Sequence, residues 1–256
     1  MNIIFPMLGL GSRFMKEGIK TPKYLLNLAE EKVLYYVLYG FRNLNKSRFI
    51  FLVRKDHDPF NTKYEIDRIC NYLDIDDFNI IKVEKSTKGQ ADSVRLALPY
   101  CLLNKSLLIF NIDTIHLGLN PDFNFKADGM LETFFADGNH WSFAKVRKNN
   151  LVEIVTEKNR ISDNCSNGLY FFRNIYDFQK SYLDLYENNK SENIGKFQEN
   201  YIAPMYNMMI KNGMKILNRN VHSDLILTSG IPEEYFLLNQ KYKKKVELES
   251  KFITFD

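Results

Sequence analysis

The residues best suited to chemistry are glycines and cations near the start of the chain. Gly9 and Gly11 follow the apolar stretch Asn2–Pro6 and precede Arg13, and Lys23 comes shortly afterwards. Glycines after a strand let the backbone turn sharply and bring its N–H groups close to a ligand. Arginine and lysine beside such a loop supply the positive charge that a polyphosphate requires. The stretch therefore predicts a phosphate-binding loop at the carboxyl end of a first strand.

Known phosphate-binding motifs narrow the interpretation of this loop. A Walker A loop needs Gly-Lys-Ser/Thr after four spacer residues, and none follows Gly9 or Gly11, which excludes it. The dinucleotide fingerprint G-x-G-x-x-G needs glycine where Phe14 stands, so it is only weakly supported. A glycine-rich turn beside two surface cations is the alternative without a ligand.

Asp113 is the most informative acidic residue. It directly follows the apolar segment Ser106–Ile112, where a carboxylate would be costly to bury without a partner. A bound Mg²⁺ would be such a partner, with nucleotide phosphates supplying further oxygen ligands. An exposed loop acid or a helix cap is the alternative interpretation.

The order G-x-G-[ST]-R, a gap and then P-K resembles the sugar-phosphate nucleotidylyltransferases, in particular the small bacterial members associated with capsule and surface-polysaccharide synthesis. The resemblance covers nearly the whole chain, including Trp141-Ser142, Val155–Lys158, Asn167–Tyr170 and Gly230–Glu234. It implies an enzyme that transfers a nucleotidyl group from a nucleoside triphosphate to a phosphorylated small molecule and releases pyrophosphate. No nucleic acid or membrane would take part.

The resemblance also implies the roles of individual residues. The nucleotide would be bound by Leu8, Gly9, Leu10, Gly11, Ser12, Arg13, Lys23, Glu84, Gly89 and Asn111. Catalysis would rest on Arg13, Lys23, Asp113 and Lys158. The acceptor would meet Glu157 through its hydroxyls and Lys158 through its phosphate, with Asn167 and Gly168 facing the same pocket. Asp113 would hold Mg²⁺, with Mn²⁺ as a substitute.

The chain departs from this family at the expected second metal ligand. Many relatives have an aspartate just before a G-T-P turn near the C-terminus, whereas Thr228 stands there in this sequence. Asp224 lies four residues earlier, about 13 Å away along an extended strand. Asp224 is nevertheless our candidate for the second metal ligand.

Glu84 is the candidate for reading the base. It lies just beyond the end of the third predicted strand, and relatives that bind uracil or thymine have a glutamine nearby. A carboxylate cannot donate a hydrogen bond, but it can accept one from the N4 amine of cytosine. This favours CTP, and it predicts that Glu84→Gln weakens CTP use. The alternative is a surface ion pair with Lys82 or Lys88.

These residues require strands that end at one edge of a sheet. Four short apolar segments alternate with helical patterns in the first part of the chain: Asn2–Pro6, Arg48–Arg54, Phe78–Val83 and Ser106–Ile112. Helices are predicted over Glu31–Leu44, from Asp58-Pro59 towards Asn71, and from a capping box at Thr87–Gln90 to Leu98. The alternation predicts an α/β fold with a doubly wound, mostly parallel sheet, which is Rossmann-like. The resemblance makes it GT-A-like.

The second half of the chain has a different pattern. Strands joined by short turns are predicted at Gly129–Phe135, Ser142–Arg147, Leu151–Thr156 and Gly168–Phe172, and another at Met214–Leu217. Helices are predicted at Ile175–Tyr186 and Tyr201–Lys211, with a last helix from Pro232. We expect one domain over residues 1–256, with a nucleotide-binding part (1–118) and a mixed-sheet, acceptor-binding part (119–256).

Composition limits the class of protein. The chain has 256 residues, of which 45% are hydrophobic and 26% charged, and a net charge of +4, as in a globular protein without a dedicated nucleic-acid surface. Three scattered cysteines, no signal peptide and no long apolar run predict a cytoplasmic protein. The sequence is also compatible with a homodimer. Two other classes remain: a GT-A-type glycosyltransferase, for which Asn111-Ile112-Asp113 gives only half of a D-x-D motif, and a non-catalytic nucleotide-binding regulator.

Overall fold

The computed structural model describes residues 1–123, 126–188 and 199–254. Its strands are β1 (Asn2–Met7), β2 (Asn27–Leu28), β3 (Glu31–Lys32), β4 (Arg48–Arg54), β5 (Phe78–Val83), β6 (Leu107–Ile109), β7 (Thr114–His116), β8 (Gly129–Phe135), β9 (Ser142–Val146), β10 (Val152–Glu157), β11 (Asn164–Phe172), β12 (Ile216–Asn220) and β13 (Ile226–Thr228). Its α-helices are α1 (Ser12–Lys16), α2 (Val33–Gly40), α3 (Thr62–Tyr72), α4 (Gln90–Ala97), α5 (Ile175–Tyr182), α6 (Met205–Lys211), α7 (Pro232–Lys241) and α8 (Lys245–Glu249).

Nine of the strands in the described residues form one central sheet. Its main path runs β10-β9-β11-β6-β1-β4-β5, and β8 joins β11 to β12 beside that path. Strands β6, β1, β4 and β5 are parallel, whereas β11 is antiparallel to β6, β8 and β9. The predicted α/β fold with a mostly parallel sheet is confirmed.

Apolar side chains cover both faces of the parallel strands. In β1, Ile3 and Phe5 pack into the core that includes residues of α2 and α3, while Ile4 packs into the core that includes residues of α4, α5 and α6. Successive residues of a strand point to opposite faces, so a strand covered on both sides must be apolar almost throughout. This is why the strands read as continuous apolar runs. Because these strands run parallel, their carboxyl ends lie at one edge of the sheet.

Helix starts differ from the predicted ones where a local turn takes over. Residues Glu31 and Lys32 belong to a two-stranded hairpin with β2, because Ala29 and Glu30 adopt left-handed φ angles of 45° and 68°. Asp58-Pro59 lies inside a 3-10 helix, and α3 begins only after Asn61, which is also left-handed at φ 56°.

The helix predicted from a capping box at Thr87 begins differently. Gly89 occupies the N-cap position, and the Asp92 carboxylate accepts a hydrogen bond from the Lys88 backbone N–H at 2.9 Å. In the second half, α6 begins at Met205 instead of Tyr201, and α8 follows the helix predicted to be the last.

Strands from both predicted parts of the chain share the central sheet. Strand β11 pairs directly with β6, so residues after 118 complete the sheet begun by residues before it. The functional division into residues 1–118 and 119–256 stays a prediction. In the described part of the chain, no helix combines the length and apolarity needed to span a bilayer.

Candidate active site

A cleft of about 960 Å³ opens at the carboxyl ends of β1, β4, β5 and β6. The first half of the chain lines it with residues 6–13, 19–24, 86–90 and 111–114, and the second half with residues 140–142, 157–158 and 201–202. Ligands of open α/β sheets bind beyond the carboxyl ends of the strands. The cleft is therefore the candidate site, at the upper end of the usual size for small-molecule pockets.

The glycine loop forms one wall of this cleft. Gly11 takes a left-handed φ of 62° and begins the short helix α1, and its carbonyl accepts a hydrogen bond from the Met15 N–H at 3.0 Å. Arg13 and Lys20 line the same wall. Except for Glu84, all residues predicted to bind the nucleotide line the cleft: Leu8, Gly9, Leu10, Gly11, Ser12, Arg13, Lys23, Gly89 and Asn111.

Lys23 and Asp113 form an ion pair on the floor of the cleft. The Lys23 Nζ donates to Asp113 Oδ2 at 2.5 Å, and both side chains keep about a fifth of their surface exposed, 23% and 21%. The backbone carbonyl of Asp113 accepts hydrogen bonds from the Ser229 N–H at 2.8 Å and the Ser229 hydroxyl at 3.1 Å. The backbone at Asp113 is thus held in place independently of the charge on its carboxylate.

The Asp113 carboxylate fits a role in binding Mg²⁺. It is partly exposed, it lines the cleft, and its oxygen atoms can bind a metal ion. Magnesium is usually held by one or two carboxylates, with substrate phosphates and water completing its shell. Among the residues that the structure describes, no group of three or more histidine, cysteine, aspartate and glutamate side chains is arranged to hold a metal.

Asp224 does not lie at the cleft, so its predicted role as second metal ligand is wrong. Its side chain is 90% exposed and pairs with His222 at 3.3 Å. The reason is the direction of β13, which runs antiparallel to β7 and brings Thr228, not Asp224, beside Thr114. The strand thus carries its preceding residues away from Asp113.

Glu84 also lies outside the cleft, contrary to the prediction that it reads the base. Its side chain is 68% exposed and forms a surface ion pair with Lys55 at 2.6 Å. It stands one residue beyond β5, and the chain enters the cleft only from Ser86 onwards. The alternative of a surface ion pair is therefore the correct one, with Lys55 as the partner.

We therefore expect Glu84→Gln to leave the kcat/KM for CTP and UTP within about twofold of wild type, since an exposed ion pair contributes little. Gln90→Ala, which removes a side-chain carbonyl oxygen suited to the N4 amine of cytosine, should lower the kcat/KM for CTP by roughly tenfold and that for UTP by less. Steady-state kinetics of the two variants with both nucleotides makes the comparison. A selective loss of CTP use in Glu84→Gln would return Glu84 to the base-binding site.

Glu157 and Lys158 line the opposite wall. The Ser142 hydroxyl donates to Glu157, and burial raises the pKa of Glu157 despite this hydrogen bond. Lys158 has a left-handed φ of 55°, and its Nζ donates to the Tyr201 hydroxyl at 2.6 Å, which raises the pKa of Lys158. Gly168 lines the cleft as well.

Asn167 does not face the cleft, contrary to the prediction for the acceptor pocket. It is only 2% exposed, and its amide donates to the buried Glu132 carboxylate at 2.7 Å. The side chain turns inward because that carboxylate needs donors where no water reaches it.

Several cleft residues were not predicted from the sequence. Gln90 donates to the Asn111 side chain at 2.6 Å, and Tyr201 contacts Lys158. Glu234 lies near Asp113 across Gly230, where it accepts the Gly230 N–H at 2.9 Å. Two of these residues carried a signal in the sequence, because Thr87–Gln90 was predicted to open a helix after a strand and Glu234 ends the segment Gly230–Glu234 on which the resemblance rests. Tyr201 carried none.

Comparison with solved structures identifies the family. A nucleoside-diphosphate-sugar pyrophosphorylase from Vibrio cholerae RC9 is 32% identical to this chain, with a TM-score of 0.82, over 93% of this chain and 99% of that one. The chain belongs to the sugar-phosphate nucleotidylyltransferase family. It is an enzyme of the nucleotidyltransferase class.

More distant structures share the fold of the enzyme. The inositol-1-phosphate CTP transferase of T. maritima is 14% identical, with a TM-score of 0.70, over 95% of this chain and 96% of that one. A UDP-glucose pyrophosphorylase in complex with UDP-glucose is 12% identical, with a TM-score of 0.70, over 94% and 97%. Protein-family models and functionally curated proteins give no match.

Proposed function

We propose that this enzyme transfers a nucleoside monophosphate from a nucleoside triphosphate to a phosphorylated small molecule and releases pyrophosphate. One observation carries the proposal: a single cleft has the glycine loop with Arg13, Lys20 and Lys23 on one side, and Glu157 with Lys158 on the other. The first group suits a triphosphate, and the second suits a phosphate-bearing acceptor with hydroxyls.

The residues act by positioning and by charge. The acceptor phosphate oxygen attacks the α-phosphorus in line, a P–O bond forms to it, and the bond to pyrophosphate breaks. Arg13 and Lys23 offset the negative charge that develops on the leaving pyrophosphate. A Mg²⁺ ion, which Asp113 would hold, supplies further charge neutralisation when bound. No protein nucleophile is needed.

The acceptor wall explains how a phosphorylated molecule would be oriented. Lys158 offers a point charge for the acceptor phosphate, and the Glu157 carboxylate accepts hydrogen bonds from hydroxyls. The contact between Lys158 and Tyr201 holds the ammonium group in the cleft before any ligand binds.

For the nucleotide we propose CTP, although Glu84 no longer supports that choice. Gln90 lines the cleft and gives its amide N–H to Asn111, which leaves the carbonyl oxygen of Gln90 as an acceptor. An acceptor suits the N4 amine of cytosine better than the O4 carbonyl of uracil. A role of the product in capsule or surface-polysaccharide synthesis is the corresponding proposal for biology, and it rests on the family resemblance.

The experiment is pyrophosphate release from the four nucleoside triphosphates, with Mg²⁺, against sugar, polyol, choline and amino-acid phosphates. Turnover of at least one pair is expected, with CTP preferred. Silence of every pair would overturn the proposal. Transfer from UDP-sugars would then indicate a glycosyltransferase, and nucleotide binding without turnover, indifferent to Mg²⁺, would indicate a regulator.

Acceptor use should depend on pH through Glu157. Because burial raises its pKa, this carboxylate takes up a proton at a higher pH than an ordinary glutamate does. The kcat/KM for the acceptor should therefore fall as the pH is lowered, beginning above the usual carboxylate range. Glu157→Gln, which has no charge to lose, should flatten that decline. Acceptor kinetics between about pH 5 and pH 8 test this; equal acid limbs in both proteins would contradict it.

A further inference from the structure

A fully buried carboxylate lies behind the acceptor wall. Glu132 in β8 has no exposed surface, yet it accepts hydrogen bonds from His116 Nε2 at 2.7 Å, Asn167 Nδ2 at 2.7 Å and Arg219 Nε at 2.6 Å. The Gly118 N–H donates to His116 Nδ1 at 3.2 Å, which leaves Nε2 as the nitrogen that donates to Glu132. None of Glu132, His116 and Arg219 lines the cleft.

This group is held in its charged form. Burial by itself would raise the pKa of Glu132, but the hydrogen bonds from His116 and Asn167 and the charge of Arg219 lower that pKa. Burying a charge of this kind costs free energy, and replacing a buried ion pair by apolar residues is often neutral for stability or even stabilising. Stability alone therefore does not explain why the chain keeps Glu132.

Asn167 connects the carboxylate to an irregularity in β11. While its amide donates to Glu132, its carbonyl oxygen accepts the Leu169 N–H at 3.1 Å. Between Ser166 and Tyr170 the pairing of β11 with β8 changes register. Such bulges redirect the strand and the side chains around it. One side chain thus joins the buried charge to the backbone of the bulge.

The bulge places Gly168 directly against the nucleotide side of the cleft. Gly168 has a left-handed φ of 88°, and a Cβ built on it would lie 2.1 Å from Asn111 Nδ2. Asn111 in turn accepts the hydrogen bond from Gln90. The backbone at Gly168 therefore sets where the Asn111 and Gln90 side chains stand relative to the acceptor wall.

We propose that Asn167 is a positioning residue, anchored by Glu132, which fixes the β11 bulge so that Gly168 packs on Asn111 and the two substrates meet in register. Asn167 touches neither substrate. The proposal rests on the proposed function for its kinetic test, but not for its binding test.

The chain contains a matched control for a merely structural role. Thr133 is the next residue of β8, is equally buried, and donates to the Asn218 side chain at 2.9 Å. Its side chain points to the opposite face of the sheet from Glu132, because successive strand residues alternate. Neither Thr133 nor Asn218 lines the cleft.

The experiment compares Asn167→Ala with Thr133→Val. Both should lower the melting temperature, since each removes a buried hydrogen bond. Only Asn167→Ala should also raise the acceptor KM and lower kcat/KM by roughly tenfold to a hundredfold, because a small displacement at a reaction centre is costly. In Glu132→Gln the side-chain carbonyl still accepts the hydrogen bond from Asn167. This variant should therefore keep most of the wild-type kcat/KM while its melting temperature falls.

Two outcomes overturn the inference. One is Asn167→Ala kinetics indistinguishable from those of Thr133→Val. If Asn167→Ala does not fold, Asn167→Ser replaces it, because the shorter hydroxyl cannot span Glu132 and Leu169, and the same KM rise is required.

If wild type releases no pyrophosphate, the proposed function fails, and calorimetry with CTP and Mg²⁺ decides the inference alone. Equal nucleotide affinity in Asn167→Ala and Thr133→Val is then the second overturning outcome.

Discussion

Replacing Asp113 by asparagine is expected to abolish turnover while leaving the fold in place. The side chain keeps its size, and the Ser229 hydrogen bonds go to the backbone carbonyl of Asp113, which the substitution retains. The lost charge is the one that would hold Mg²⁺ and that pairs with Lys23. Loss of one preorganised electrostatic contact lowers kcat by roughly 10²- to 10³-fold, and loss of the metal adds to this.

The matched control is Asp224→Asn, which removes an equal charge at a 90% exposed position away from the cleft. It should leave kcat unchanged. Pyrophosphate release across a Mg²⁺ titration, with thermal unfolding as the check on folding, measures both variants. Turnover near the wild-type rate in Asp113→Asn would remove this carboxylate from the reaction.

Of the substitutions that we predict, Gly89→Ala should lower the free energy of unfolding the most. An added Cβ would lie 2.5 Å from the Asn200 backbone nitrogen and 2.7 Å from its oxygen, at a φ of 144°. It would break the bonds from Asn200 N–H to the Lys88 carbonyl (2.7 Å) and from Ala91 N–H to the Asn200 carbonyl (2.8 Å). Backbone strain and two lost hydrogen bonds together cost about 2–4 kcal/mol of unfolding free energy. Activity should fall too, since both segments line the cleft.

Gly213→Ala separates the strain from the collision. Gly213 also has a left-handed φ, 79°, but a Cβ there meets nothing within 4 Å. It should cost only the strain, about 1 kcal/mol, and leave nucleotide affinity unchanged. Urea unfolding of the two variants gives both free energies. An equal loss in both would show that the chain can shift around Asn200 without penalty.

The predicted bounds of β4, β5 and β8 agree with the structure residue for residue. For β4 the reason is burial on both faces, because its five central residues are all apolar and buried. Strand β5 lies at the edge of the sheet and is only partly buried, but its apolar residues still mark it. The hairpin of β2 and β3 was not predictable in the same way. Its turn places Ala29 and Glu30 in left-handed conformations that no glycine or asparagine announces.

The site was predictable as a set of loops but not side chain by side chain. The glycine loop follows β1 and Asp113 follows β6, so their common edge follows from the parallel sheet. Asn167 is different, because the register change in β11 decides which face its side chain takes. A bulge of this kind leaves no mark in the pattern of residue types. Glu84 lies outside the cleft because the chain reaches the cleft only at Ser86, three residues after the end of β5 at Val83.

Strand β11 has a consequence for how the polypeptide is made. Strand β6 lies between β1 and β11, so one of its edges stays without a neighbour until the ribosome has produced residues 164–172. That edge exposes unpaired backbone groups, and the strand itself is apolar, with Leu107, Leu108 and Ile109 all buried in the finished protein. An open apolar edge recruits other strands, including those of sister chains. A fragment ending near residue 118 is therefore expected to aggregate, and the nascent chain needs shielding during the same interval.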